Sequence, residues 1–204
     1  MLELIDLDSR IEKGSYKEVF PELEAELGRL QREVRSAGIP VIVVFEGLDA
    51  AGKGTAINRL AGAMDPRGFK VHPITAPTET ERLFPWLWRF WRALPADGTV
   101  GIFDHSWYMR VLQDRMAGRV AEDDLPEAFE DVRQFERLLA DDGAVIVKFW
   151  LHIGKKEQKQ RLKEIDKDPA RSWKVGKQEW RRHESYDEWI DAVEEMLEQT
   201  STAQ

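Results

Sequence analysis

The chain contains no cysteine among its 204 residues, which excludes disulfide frameworks, thiolate nucleophiles and cysteine-bound metals. It has no run of about eighteen apolar residues, so no membrane-spanning helix and no membrane partner are expected. Met1-Leu2-Glu3-Leu4-Ile5-Asp6 lacks the basic start and apolar core of a secretion signal. A cytoplasmic setting is the simplest expectation from these absences. Repeats and low-complexity linkers are also missing, so residues 1–204 are read as a single domain. Positive charge is in deficit: 30 Lys and Arg stand against 38 Asp and Glu, a net charge of −8.

What is present is an ordinary soluble composition, 42% apolar and 33% charged, with an uneven charge distribution. Lys148 to Arg182 holds twelve Lys or Arg against five acids, on an otherwise acidic chain. A charge run is usually a solvated helix face. This imbalance is too one-sided for i,i+4 pairing alone, and points to a polyanion.

The stretch Val41 to Thr55 organises the rest. Val41-Ile42-Val43-Val44-Phe45 is an unbroken, β-branched apolar run and reads as a buried strand. Gly47-Leu48-Asp49-Ala50-Ala51-Gly52-Lys53 follows as Gly-x-x-x-x-Gly-Lys, and a helical pattern begins after it with Ile57 and Leu60 on one face. A strand, such a loop and a helix form a phosphate cradle. Glycines let amides turn inward, the helix dipole favours an anion, and Lys53 can follow a phosphoryl group. The loop candidates are Gly47, Ala50, Ala51, Gly52, Gly54 and Thr55. Gly54 occupies the position where a magnesium-binding Ser or Thr usually stands, with Thr55 one residue late. Asp49 would repel phosphates unless Mg²⁺ lies between them, so a metal role is expected; helix capping is the alternative.

In chain order, apolar residues at Tyr16, Phe20, Leu23, Leu27, Leu30 and Val34 make a helical stripe. It would pack on the domain or on a second subunit, and Gly38 and Pro40 end it. Residues 1–40 are thus a helical extension. The loop helix runs to about Met64, Asp65 to Gly68 is a turn, and Phe69 to Ile74 is a short strand. Phe84, Trp86, Trp88, Phe90 and Trp91 are interleaved with Arg89 and Arg92. Most of these rings suit a core, yet aromatics beside arginines can stack a base and pin a phosphate. Thr78, Arg82 and Arg89 are the nucleotide candidates of this segment.

Thr99 to Asp104 is an apolar strand ending in an acid, the second position at which phosphate-loop enzymes hold magnesium. Arg110 and Arg115 lie just beyond. Residues 109–117 and 126–140 read as helices, Ala144 to Leu151 as another central strand, and the basic window as helix, break at Asp168-Pro169, helix. A last helix covers about Glu184 to Gln199. Alternating strands and helices imply an α/β fold with a parallel sheet and ligands at the strands' carboxyl ends. The basic segment, about 154–182, would emerge there as a lid.

Glu46 to Gly54, Asp65-Pro66-Arg67-Gly68, Ala76-Pro77-Thr78, Trp88-Arg89-Phe90-Trp91, Leu94-Pro95, Asp104-His105-Ser106-Trp107-Tyr108 and Trp173-Lys174 together resemble the family-2 polyphosphate kinases, nearest the polyphosphate:AMP phosphotransferase branch. The resemblance implies a three-layer α/β/α P-loop kinase fold. It implies Mg²⁺-dependent phosphoryl transfer between inorganic polyphosphate and AMP, or ADP, by a homo-oligomer with no nucleic-acid partner. Asp49, Lys53 and Asp104 would handle the phosphoryl group, with Asp49 and Asp104 on the metal. Arg110 and Arg115 would be phosphate contacts, Arg110 within the catalytic set. Arg161, Arg171 and Lys174 would serve the lid. His105 stands where the family usually has Arg, and a further family strand and helix are expected beyond the stop at Thr200 to Gln204. The alternatives are an ATP-dependent nucleotide kinase and a non-catalytic binder of polyphosphate or nucleotide.

Overall fold

The computed structural model describes residues 2–202; Met1, Ala203 and Gln204, which belong to the terminal stretches read above, lie outside them. Four strands, β1 (Val41–Gly47), β2 (Phe69–Pro73), β3 (Val100–Asp104) and β4 (Val145–Leu151), form one sheet in the order β2-β3-β1-β4. Every pairing is parallel, with Val41 opposite both Val100 and Val145, and Phe45 opposite both Asp104 and Phe149. This register brings the carboxyl ends of β1 and β3 side by side.

β1 is central because both its faces are apolar. Ile42 and Val44 enter one core with Phe103, Trp107, Val132, Phe135 and Val193, under helices α4 (Leu125–Asp141) and α7 (Tyr186–Thr200). Val43 and Phe45 enter the other with Ile57 of α2 (Lys53–Gly62). Helix layers therefore cover both faces, as expected for this fold class. No helix among the described residues is long and apolar enough to cross a membrane.

Two expectations change, the place of the fourth strand and the role of Lys148. The Ala144 to Leu151 run is an edge strand among the described residues, not a central one. α2 lies over β1 and β3, so Val145, Val147 and Phe149 of β4 remain 47%, 37% and 46% exposed. An apolar run reports a buried face but not its number of neighbours. Along the stripe on α1 (Lys13–Ala37), Phe20, Leu27 and Val34 are half-buried and Tyr16, Leu23 and Leu30 exposed, and the helix also docks through buried Gln31. Its side-chain amide donates to the Asp65 carbonyl at 2.9 Å and accepts from the Asp65 amide at 2.7 Å. Lys148 is not part of the basic arm. It points from β4 into the α4 side and pairs with Glu136 at 2.7 Å.

The aromatic segment folds as a 3-10 turn (Glu81–Leu83) and one helical turn, α3 (Trp88–Trp91). Phe90 is core, stacked edge-on to Trp107, whereas Phe84 lies face to face with Trp88 at 4.1 Å. After β4 the chain forms α5 (Lys155–Lys167), ended by Asp168, and α6 (Lys177–Glu184).

Candidate active site

The loop after β1 takes its shape from positions where a side chain would be excluded or strained. A Cβ on Gly47 would lie 2.4 Å from the Leu151 carbonyl oxygen, and Gly52 has φ +112°. Among the described residues other than glycine, positive φ occurs at Ala50 (+60°) and His105 (+64°). Both flank the sheet rim, and such strain concentrates at functional sites. Gly52 is the N-cap of α2 without any side-chain cap bond. The first amides of α2 therefore have no acceptor inside their helix and are available to an anion.

Lys53 folds back into the loop, its Nζ donating to the carbonyls of Gly47 at 2.8 Å and Leu48 at 3.2 Å. Burial pushes its pKa down, and the carboxylates of Asp49, Glu46 and Asp104 oppose that fall. Lys53 and Asp104 thus share one electrostatic neighbourhood, as the loop and strand patterns predict. The Asp104 carboxylate has no hydrogen-bond or ion-pair partner among the described residues. Asp49 does not cap α2. Both its carboxylate oxygens are taken by Arg182 of α6, Nε at 2.5 Å and Nη2 at 3.2 Å. Arg182 also donates to Glu179 at 2.6 Å. Burial works against the guanidinium charge, but the Asp49 and Glu179 carboxylates outweigh it and its pKa rises.

Helix α5 touches the same loop. Arg161 Nη1 donates to the carbonyls of Ala50 and Ala51 at 3.3 Å, and Gln158 to that of Asp49 at 3.3 Å. Gln158 is fixed in turn by His183 Nδ1 of α6 at 2.7 Å. The other expected arm residues stay away. Arg171 pairs with Asp168 at 2.5 Å and Lys174 lies over the Trp173 ring. Arg115 is also spent elsewhere, on Glu122 at 3.0 Å and Glu195 at 2.7 Å, and lines neither cleft described below. Its carboxylate partners come from a separate turn and from α7. Gly54 and Thr55 are exposed at the start of α2.

After β3 the chain turns sharply. The Asp104 carbonyl accepts from Ile74, and the His105 amide donates to Phe45. His105 Nδ1 lies 3.0 Å from buried Glu46, whose other oxygen accepts from Ser106 Oγ at 2.8 Å. Trp107 Nε1 and Tyr108 Oη both donate to Glu136 Oε1 on α4, at 3.0 and 2.7 Å. Burial, then the Glu136 charge, pushes the Tyr108 phenol up. Next is a π-helical turn, Arg110–Asp114. Sequence reading missed Glu46, Glu136 and Arg182. Glu46 adjoins the motif, but the other two become visible only once distant elements meet.

Two clefts result. A small one, about 30 Å³, lies below the loop between Glu46, Asp49, His105, Trp150 and Arg182. A wider one, about 220 Å³, is lined by Arg82, Phe84, Trp86, Arg89 and Arg110. Met109 borders both. In the wider cleft Arg89 donates to the Thr75 carbonyl at 2.9 Å, while Arg110 carries a buried Nε with no partner and sits 5.9 Å from the Trp86 ring centre. Thr78 is engaged with Glu81, exchanging a bond each way at 2.7 and 3.2 Å.

The family model for polyphosphate kinase 2 matches residues 10–204. The chain belongs to the polyphosphate kinase 2 family. It is 44% identical over 202 residues to a polyphosphate:AMP phosphotransferase of Pseudomonas aeruginosa, covering 99% of this chain and 41% of that protein. It is 35% identical to ADP-polyphosphate phosphotransferase 3 of Rhizobium meliloti, covering 93% of this chain and 66% of that one. A crystal structure of a polyphosphate kinase 2 from Arthrobacter aurescens superposes with a TM-score of 0.94 at 32% identity, covering 100% of this chain and 75% of that chain. The chain thus spans about two-fifths of the polyphosphate:AMP phosphotransferase it matches, and the fold is the P-loop kinase fold of the polyphosphate kinase 2 family.

Proposed function

We propose that this chain transfers a phosphoryl group between inorganic polyphosphate and a nucleoside monophosphate, AMP in preference to ADP. The observation that carries the reading is the pair of clefts meeting at Met109, one under a phosphate loop and one between arginines and aromatic rings. Phosphoryl transfer needs little covalent chemistry, only positioning and charge. Lys53 and the α2 amides would hold the reacting phosphoryl group. Arg110, Arg82 and Arg89 would hold the nucleotide, with the Trp86 and Phe84 rings beside its base. The preference for AMP rests on the polyphosphate:AMP phosphotransferases among the relatives of higher identity.

Helices α5 and α6 would act as a basic lid. Arg161, Arg182 and the exposed lysines of α5 give a polymer without bases the only kind of handle it accepts. Polyphosphate, not nucleic acid or membrane, is the expected polyanion, and the cytoplasm the expected compartment. The exposed apolar residues of α1 and β4 support a homo-oligomer.

The donor set fits Mg²⁺. No three-residue acid or histidine cluster occurs among the described residues, and Mg²⁺ characteristically takes only one or two carboxylates plus phosphate oxygens. Asp104 would hold it directly, and Asp49 once free of Arg182. When bound, the ion would neutralise charge on the phosphoryl oxygens.

The test is the purified chain with long-chain polyphosphate, Mg²⁺ and either AMP or ADP, without ATP. ADP formed from AMP supports the reading, and ATP formed only from ADP reassigns the acceptor. Transfer that requires ATP as donor would overturn it in favour of an ATP-dependent kinase. The KM for polyphosphate should rise steeply with salt, because a cationic arm meets a polyanion.

A further inference from the structure

Arg182 does something that a merely basic lid residue need not do. Its guanidinium is spread over both oxygens of Asp49, a residue 133 positions away, while Glu179, one turn back on α6, accepts from the same Nη2 that reaches Asp49. The two side chains are 30% and 20% exposed, so the pair is shielded but reachable. A carboxylate engaged on both oxygens offers a cation little, and a fixed guanidinium repels one. The surroundings add to this. Lys53 is influenced by three carboxylates, Asp49, Glu46 and Asp104, and by one other cation, Arg182. Without Arg182 the cradle would favour divalent ions and resist a polyanion. With it, the negative excess is reduced.

We propose that Arg182 is an exchangeable guard on Asp49, which keeps divalent cations off the empty loop and moves to phosphoryl oxygens when a phosphate chain arrives. The inference rests on the reading of the loop given above. A guanidinium fork matches carboxylate and phosphate alike, so one partner can replace the other with little loss. Lysine, a point charge, cannot make that trade. Glu179 keeps Arg182 poised over the loop during the exchange, and Gln158 and Arg161 hold the loop carbonyls still. In consequence Asp49 becomes a cation ligand only in the presence of the phosphate chain, so cation and chain enter together.

The experiment reads Mn²⁺ binding to the full chain, by the paramagnetic resonance of the free ion, with no nucleotide or polyphosphate present. Arg182→Gln should bind Mn²⁺ about tenfold tighter than the parent, a difference of about 1.4 kcal/mol. Adding Asp49→Asn to Arg182→Gln should return the affinity to the parental level. Arg182→Lys, which keeps the charge and guards against a folding artefact, should show a smaller gain. Unchanged or weaker Mn²⁺ binding in folded Arg182→Gln, or a gain that survives Asp49→Asn, overturns the proposal. The transfer assay is separate. A chain that moves no phosphoryl group yet shows the Asp49-dependent gain retains the guard and loses the transferase reading. The opposite pattern loses the guard alone.

Discussion

Around the phosphate loop Lys53, Arg161 and Arg182 each have a protein partner: Lys53 on two carbonyls, Arg161 on two more and on Glu157, Arg182 on Asp49 and Glu179. In the aromatic cleft Arg110 keeps a buried Nε without one. In the first region the cations are satisfied by neighbouring residues and must exchange them to take a ligand, although Trp150 Nε1 on the cleft wall is buried without a partner. The second already carries the cost of an unpaired buried donor, and a ligand relieves it. A long polyanion can displace many small contacts at once, which suits the first arrangement. A single compact nucleotide gains more from a donor that is preorganised.

The largest effect expected from breaking this contrast is on the loop side. Lys53→Ala should lower turnover by at least about a hundredfold, the scale of losing a donor that stabilises developing charge. Its melting temperature should stay near the parent's, since the Gly47 and Leu48 carbonyls can accept from water. Glu136→Ala should instead harm both clefts together. It removes the acceptor of Trp107, Tyr108 and Lys148 and frees the turn between Asp104 and Arg110. A loss of about 2–4 kcal/mol is expected in urea unfolding, because buried donors are stranded. Arg110→Met sharpens the contrast most cleanly. The KM for nucleotide should rise about tenfold, while stability should not fall, since the variant removes an unsatisfied polar atom.

The smallest effect concerns pH. Burial holds the pKa values of His72, His152 and His183 below the ordinary 6.5. The unfolded chain therefore binds protons first as pH falls below 6.5, and stability should decline through that range down to the folded values. For His183 the added proton goes to Nε2, since Nδ1 already donates to the Gln158 oxygen, so the cost is the burial of the new charge and not the loss of that contact. Melting curves of His183→Asn should show a shallower decline below pH 6.5 than the parent.

Much of this was legible beforehand. The β-branched run of β1, the glycine spacing and the acid closing β3 report local constraints, and the register places them together as the patterns imply. The rest depends on partners remote in sequence. Arg182 was only one of twelve cations in its window until α6 set it against Asp49. Arg115 carried the same charge as Arg110 and lay five residues on, yet Glu195 of α7 claims it. The position of β4 was hidden because an apolar run looks alike at the edge and in the centre.

Calorimetric binding of polyphosphate and of AMP, each to the parent, Lys53→Ala and Arg110→Met, tests the division between the clefts most directly. Lys53→Ala should weaken polyphosphate binding and spare AMP, and Arg110→Met should do the reverse. Loss of the same ligand in both variants would contradict it.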